Sequence, residues 1–175
     1  MPIDALVEPL LRVPLFQGLR PLQITEIARQ AERIIFKPGE TIARSGASAE
    51  AAYLIVAGTA ERIYGSGRGG ADTLEPGSLI SEMAMLISVE HGATVVARSA
   101  VRCLKLNRAD LHAQMENDPA LADHFTDCIT HRLTKVAAEL QQIQQVLAAD
   151  AARTEETLGA FGPLQSGSVE LTALR

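Results

Sequence analysis

Aromatic residues are scarce in this sequence: two tyrosines, four phenylalanines and no tryptophan make up 3% of 175 residues. A core built with so few must be aliphatic, filled by Leu, Ile, Val, Ala and Met. Cysteine is scarcer still. The two present, Cys103 and Cys128, have neither the paired spacing of a metal site nor the density of a secreted disulfide scaffold, and read as plain buried thiols. Basic charge is not in excess either: 16 Lys and Arg stand against 21 Asp and Glu, a formal net charge of −5 that leaves no electrostatic footprint for nucleic acid. No apolar stretch reaches membrane-spanning length. Residues Met1 to Leu11 carry Asp4 and Glu8 where a signal peptide needs a positive start and an unbroken apolar run. The expectation is a cytoplasmic protein that engages neither nucleic acid nor membrane.

Apolar residues make up 47% of the chain and charged ones 21%, a balance that suits one globular domain of ordinary size with an appendage. Leu6, Leu10, Leu11, Val13, Leu15 and Phe16, interrupted by Pro9 and Pro14, predict short helical pieces. Pro21 to Ala31 places Leu22, Ile24, Ile27, Ala28 and Ala31 at helical spacings behind a leading proline, an amphipathic helix. From Arg33 the period changes. Ile34 to Phe36, the turn Lys37-Pro38-Gly39-Glu40, Thr41 to Ala43 and the break Ser45-Gly46 read as strand, turn, strand. Ala52 to Val56, Thr59 to Tyr64 and Ala71 to Leu74 follow, separated by Gly58 and a glycine-rich loop at Gly65 to Gly70, and closed by Pro76-Gly77. After an interruption at Ser81 to Gly92 come two more runs, Ala93 to Ala97 and Val101 to Leu106. Short strands at this spacing predict a β-sandwich or barrel.

Beyond Asn107, which with Asp110 is placed to cap a helix, the pattern turns helical: Leu111 and Met115, a break at Asn117-Asp118-Pro119, then a long segment from about Ala120. In it Ile129, Leu133, Val136, Leu140, Ile143 and Leu147 alternate four and three apart, a heptad seam. Two readings stay open, a coiled-coil dimer and a helix packed on its own β-roll. The dimer is favoured because the seam outruns a small roll at ~1.5 Å per residue. From Leu158 rising Gly, Ser and Pro predict a loose tail. The expected organisation is a roll with N-terminal helices over 1–118, a hinge and dimerisation helix over 119–157, and a tail over 158–175.

The segment that interrupts the sheet is the informative one: Gly77-Ser78-Leu79-Ile80-Ser81-Glu82-Met83-Ala84-Met85-Leu86, then His91-Gly92-Ala93-Thr94-Val95-Val96-Ala97. A short helix opening at Ser81-Glu82-Met83 would aim its backbone N–H groups at one spot and so hold an anion. These residues resemble the phosphate-binding cassette of the cyclic-nucleotide-binding domains found in catabolite-activator-type regulators and in regulatory subunits of cyclic-AMP-dependent protein kinase. That cassette reads about Phe-Gly-Glu-x-Ala-Leu, a short gap, then Arg-Ser/Thr/Ala-Ala-x-Val; Ile80 to Met85 and His91 to Val95 stand in those places. Pro14-Leu15-Phe16 with Gly18-Leu19, Phe36 to Ile42 ending in Gly46, and Tyr53 to Val56 followed by Gly58 match upstream. The likeness spans roughly Val13 to Leu147. It implies a mostly β fold with helices: a β-roll of the double-stranded β-helix or jelly-roll kind, flanked by N-terminal helices and closed by the long C-terminal helix.

The resemblance further implies a regulatory module that binds cyclic AMP or cyclic GMP through Ile80, Ser81, Glu82, Met83, Ala84, His91, Gly92 and Ala93. Glu82 would accept from the ribose 2′-hydroxyl, and no other cofactor is implied. In the family the long helix covers the base, so binding would shift a hinge near Asn117 to Leu121. This sequence departs at two cassette positions. His91 stands in place of the arginine, which offers a permanent charge and a two-pronged donor. Ser81 stands in place of the glycine, with a Cβ that takes room and a hydroxyl that donates. The alternative is a domain that keeps the fold, has lost the nucleotide, and serves as a dimerisation or docking module.

Other classes have less behind them. A cupin-type metalloenzyme needs clustered histidines on the strands, and the strand region holds only His91. His112, His124 and His131 form no ligand pair and read as surface or interface residues; no Ser-His-Asp or Cys-His grouping emerges. For a transcription factor, the residues after the seam offer room for one short helix and no basic cluster. The expectation is a sensor without its own DNA-binding domain that acts as a homodimer or on a separate effector.

Overall fold

The computed structural model describes residues 4–65 and 70–160, with side chains over 6–65 and 70–148. It falls into two units, 1–129 and 130–175. In the first, α1 (Asp4–Leu11), a 3-10 turn at Pro14–Phe16 and α2 (Pro21–Gln30) precede the strands β1 (Glu32–Phe36), β2 (Thr41–Ala43), β3 (Ser48–Ala49), β4 (Ala51–Ala57), β5 (Ala60–Ile63), β6 (Ala71–Leu74) and β7 (Leu79–Ile80). A second 3-10 turn at Glu82–Met85 interrupts the sheet before β8 (Val89–Glu90), β9 (Thr94–Ala97) and β10 (Val101–Asn107). Helix α3 (Arg108–Asn117) and helix α4 (Pro119–Ala160) follow.

Among the described residues all strand pairs are antiparallel, in two sheets ordered β1-β10-β4-β7 and β2-β9-β5-β6, with β3 and β8 as a separate ribbon. This is the expected β-roll, two facing sheets and no closed barrel. Strand β4 reads as an unbroken apolar run because both of its faces are covered. Ile55 points into the core between the sheets with Ile42, Leu74, Ile80, Val95, Val101 and Cys103. Ala52 and Leu54 point the other way, into a second core with Leu10, Phe16, Ile24, Leu121 and Phe125 from the helices. Strand β10 serves both cores by alternation, with Val101 and Cys103 facing one and Leu104 and Leu106 the other. Burial pushes the Cys103 thiol up to about 12.

Several details differ from the sequence expectations. Cys128 is half-buried, not buried, because it lies on the partly open face of α4. Asn107 stands at the N-cap of α3, but its amide makes no cap bond; it donates to Asp110 and to Glu32 on the neighbouring strand. Ribbon β3–β8 lies in stretches read as loops, since two-residue strands carry no alternation. Ile129, the first residue of the heptad seam, packs against the helical core of the roll. In the second unit, Leu133, Val136, Leu140, Ile143 and Leu147 are all exposed. Of the tail expected from Leu158, residues 158–160 continue α4, and 161–175 lie outside the described residues.

Asp118 governs the junction of α3 and α4. Its carbonyl and Oδ1 both accept from the Leu121 N–H, at 3.0 and 3.3 Å, so it caps α4 before Pro119. Its Oδ2 accepts from Nε2 of buried Gln23 and from Nη2 of Arg20, each at 2.8 Å. The Gln23 amide, the Leu121 N–H and the Arg20 guanidinium hold the carboxyl below the usual carboxylate range, against an opposing push from desolvation. A depressed carboxyl stabilises the fold above its unfolded value of about 4, and that contribution is lost as pH falls through the folded value. Asp118→Ala is therefore expected to lower the melting temperature clearly at pH 7 and much less toward pH 2. Thermal melts that show the same gap at both pH values would contradict this role.

Candidate functional site

The cassette begins where β7 ends. Ile80 is sealed in the core between the sheets, and the next residue, Ser81, takes φ 54 and ψ 46, the left-handed conformation. Among the described residues it is the one non-glycine with positive φ. A residue with a Cβ pays about 1–2 kcal/mol for that shape, and such strain persists where the surroundings over-determine it. Here the chain is pinned on both sides, by Ile80 before it and by fully buried Ala84 and Met85 after it.

The expected short helix is a single 3-10 turn, Glu82–Met85, with Ala84 N–H donating to the Ser81 carbonyl at 2.9 Å. So short a turn develops little macrodipole. Any attraction for an anion at this turn would then have to come from individual groups. Glu82 and Met83 are half-buried at the head of the turn, whereas Ile80 and Ala84 are closed off in the core and have only backbone atoms to offer a ligand. Gly92 is exposed, and Ala93 is buried at the entry to β9.

His91 is buried at 9% exposure, and its backbone is bonded in both directions to the loop between β2 and β3. Its N–H donates to the Ala47 carbonyl and its carbonyl accepts from the Gly46 N–H, each at 2.9 Å. Its Nδ1 lies 2.6 Å from Ser81 Oγ. The two residues that depart from the cassette pattern are therefore bonded to each other. Burial pushes the imidazole below its ordinary value, which leaves it neutral at pH 7. Either the hydroxyl donates to Nδ1 and leaves an Nε2–H, or Nδ1–H donates to Oγ and leaves the O–H. In both forms the pair presents one free donor and no charge.

Of the histidines read as surface or interface residues, His112 is exposed and His124 half-buried, and both meet main-chain carbonyls. His112 Nε2 lies 2.7 Å from the Leu86 carbonyl, and His124 Nε2 lies 2.9 Å from the Leu15 carbonyl with its ring against Phe125. Arg108, not singled out in the sequence, donates to the Ile87 and Ala49 carbonyls at 3.0 and 3.2 Å. Main-chain acceptors carry no residue signature. The one available hint is the spacing of Arg108 and His112, which puts them on one helix face.

Comparison with known proteins agrees with this fold. The family model described as the cyclic nucleotide-binding domain matches residues 33–118. A Rhodopseudomonas palustris protein named as a potassium channel protein is 37% identical over 127 residues, 69% of this chain and 30% of its own length. The cAMP-dependent protein kinase regulatory subunit of Aspergillus fumigatus is 32% identical over 96 residues, 55% of this chain and 23% of its own. The chain thus spans less than a third of either relative. Among solved structures, a cyclic nucleotide-binding-like protein from Brucella abortus superposes with a TM-score of 0.59 at 28% identity, covering 65% of this chain and 99% of that one. Through residues 33–118, which hold the roll and its cassette, this chain belongs to the cyclic nucleotide-binding domain family.

Proposed function

We propose that this chain is a regulatory module, not an enzyme, that takes cyclic AMP or cyclic GMP into the segment from Ile80 to Ala93 and answers by resetting the hinge at Asn117 to Leu121. The observation behind this reading is the Ser81–His91 contact. A strained left-handed serine is kept at the cassette position where the chain must approach a phosphate, and it is bonded to the residue that stands for the arginine. The cyclic phosphate draws the Ser81 hydroxyl to itself, and its charge favours protonation of His91. The imidazolium then donates from both ring nitrogens. Glu82 accepts from the ribose 2′-hydroxyl. The module works in the cytoplasm and needs no metal or further cofactor.

A second reading draws on the same contact. Ser81 and His91 are already bonded to each other without a ligand, which suits a domain that has given up the nucleotide and serves to dimerise or dock. Calorimetry separates the two, with protein that has been denatured and refolded to strip carried-over ligand. The sensor reading expects saturable binding of cyclic AMP or cyclic GMP, tighter at pH 6 than at pH 7.5, because protonation supplies the missing charge. His91→Arg should then tighten binding at pH 7.5 by roughly ten- to a hundredfold, the worth of one charge-assisted hydrogen bond, and flatten the pH dependence. Absence of binding up to millimolar nucleotide would sink the sensor reading and favour the docking module.

The output surface in this reading is a homodimer formed by α4. Leu133, Val136, Leu140, Ile143 and Leu147 lie exposed at alternating three- and four-residue steps, and the next step of the seam falls on Asp150. A second copy of the same helix is the partner whose heptads match this stripe. Sedimentation velocity at micromolar concentration should report a dimer, and Leu140→Glu a monomer. A wild-type monomer at that concentration would rule out the simple coiled coil.

A further inference from the structure

The bonds that α3 makes to the far end of the cassette go beyond anchoring a helix. A short turn leaves its last carbonyls without partners inside the turn, and each buried one must find a donor elsewhere. Here the donors come from one side of α3. Arg108 Nη1 donates to the Ile87 carbonyl at 3.0 Å, and His112, one helical turn further on, meets the Leu86 carbonyl at 2.7 Å. A carbonyl only accepts, so His112 carries its proton on Nε2. Leu86 is the C-cap of the Glu82–Met85 turn and is buried, whereas Ile87, just beyond it, is exposed; together the two carbonyls mark the exit of the cassette.

Arg108 also reaches the other strand of the loop. The same Nη1 donates to the Ala49 carbonyl at 3.2 Å, and Ala49 pairs with Val89, two residues before His91. Its own backbone N–H donates to the Glu50 carbonyl at 2.9 Å, which fixes the base of the side chain. One guanidinium thus joins the end of the turn that starts after Ser81 to the ribbon that delivers His91. The α3 helix that carries it runs to Asn117, next to the Asp118 cap.

We propose that Arg108 and His112 are positioning residues for the cassette: by holding the carbonyls of Ala49, Leu86 and Ile87 they set the approach of Ser81 to His91 and tie the cassette to α3. The proposal rests on the reading of this segment as the ligand site, but the grip itself is present in the free protein and is open to test without ligand. A purely local anchoring role would change stability alone. A positioning role changes the cassette and what the hinge learns of it.

The test is amide hydrogen exchange on the full chain, free and with cyclic AMP, for wild type, Arg108→Met/His112→Ala and Arg108→Lys. Methionine keeps the stem of Arg108 and removes its donors; lysine keeps donors for the two carbonyls. In the free protein, exchange over residues 83–91 should rise at least tenfold in the double variant, with β4 and β10 unchanged, and Arg108→Lys should stay near wild type. With cyclic AMP, the double variant should bind at least tenfold more weakly and lose the ligand-induced protection at Asn117 to Leu121. Unchanged exchange over 83–91, or a uniform rise across the roll, would overturn the proposal. So would binding and hinge protection equal to wild type in the double variant. If wild type binds no nucleotide, the ligand reading fails by itself, and the free-state exchange still decides whether α3 positions the cassette.

Discussion

The way the chain leaves β7 at Ser81 conditions the rest of the site. A serine in the left-handed region costs about 1–2 kcal/mol, and a neutral hydrogen bond to His91 returns about 1 kcal/mol of that. The balance is carried by packing. Ile80 and Met85 are fully buried on either side, and each is worth about 1.5–3 kcal/mol when taken out of water. The turn is therefore held by the two cores it bridges, one between the sheets and one under the helices. The Ser81–His91 bond decides instead which polar groups are free, and so what the site can bind.

From that turn a continuous set of contacts leads to the junction of α3 and α4, the proposed hinge. The Glu82–Met85 turn ends in carbonyls gripped by Arg108 and His112, and α3 ends at Asp118, where Gln23 and Arg20 of the N-terminal helical segment meet the cap of α4. Phe125 lies edge-on to Phe16, with ring centroids 6.2 Å apart, so the start of α4 is packed on the same helical segment. A ligand that reorders the cassette thus acts on an element bonded at both ends. It can shift the hinge only by as much as its affinity differs between the two arrangements.

Much of the fold is legible in the sequence because its turns are chemically marked. Lys37-Pro38-Gly39-Glu40 closes as a turn with Gly39 at φ 87, and Gly58, also at φ 87, sits where an added Cβ would come within 2.3 Å of the Ala100 carbonyl oxygen. The heptad spacing of α4 is equally visible, although Ile129 at its head turns to the core of the roll. Ribbon β3–β8 escapes because two residues cannot show a period. At the site, Ser81 and His91 stand out one by one as departures from a cassette, but their contact depends on the loop between β2 and β3 that holds the backbone of His91. The grips of Arg108, His112 and His124 are hidden for a different reason: their acceptors are main-chain carbonyls, which every residue has.

In the free protein His91 is bonded to Ser81 and held neutral by burial, and in the proposed sensor it becomes charged when an anionic nucleotide arrives. Nitrogen NMR of the imidazole reads this directly, with the signal assigned by its loss in His91→Arg. At pH 7 the free protein should show one protonated and one bare ring nitrogen for His91, and saturating cyclic AMP should convert both to the protonated form. A His91 already charged without ligand, or one that stays neutral at nucleotide saturation, would contradict it.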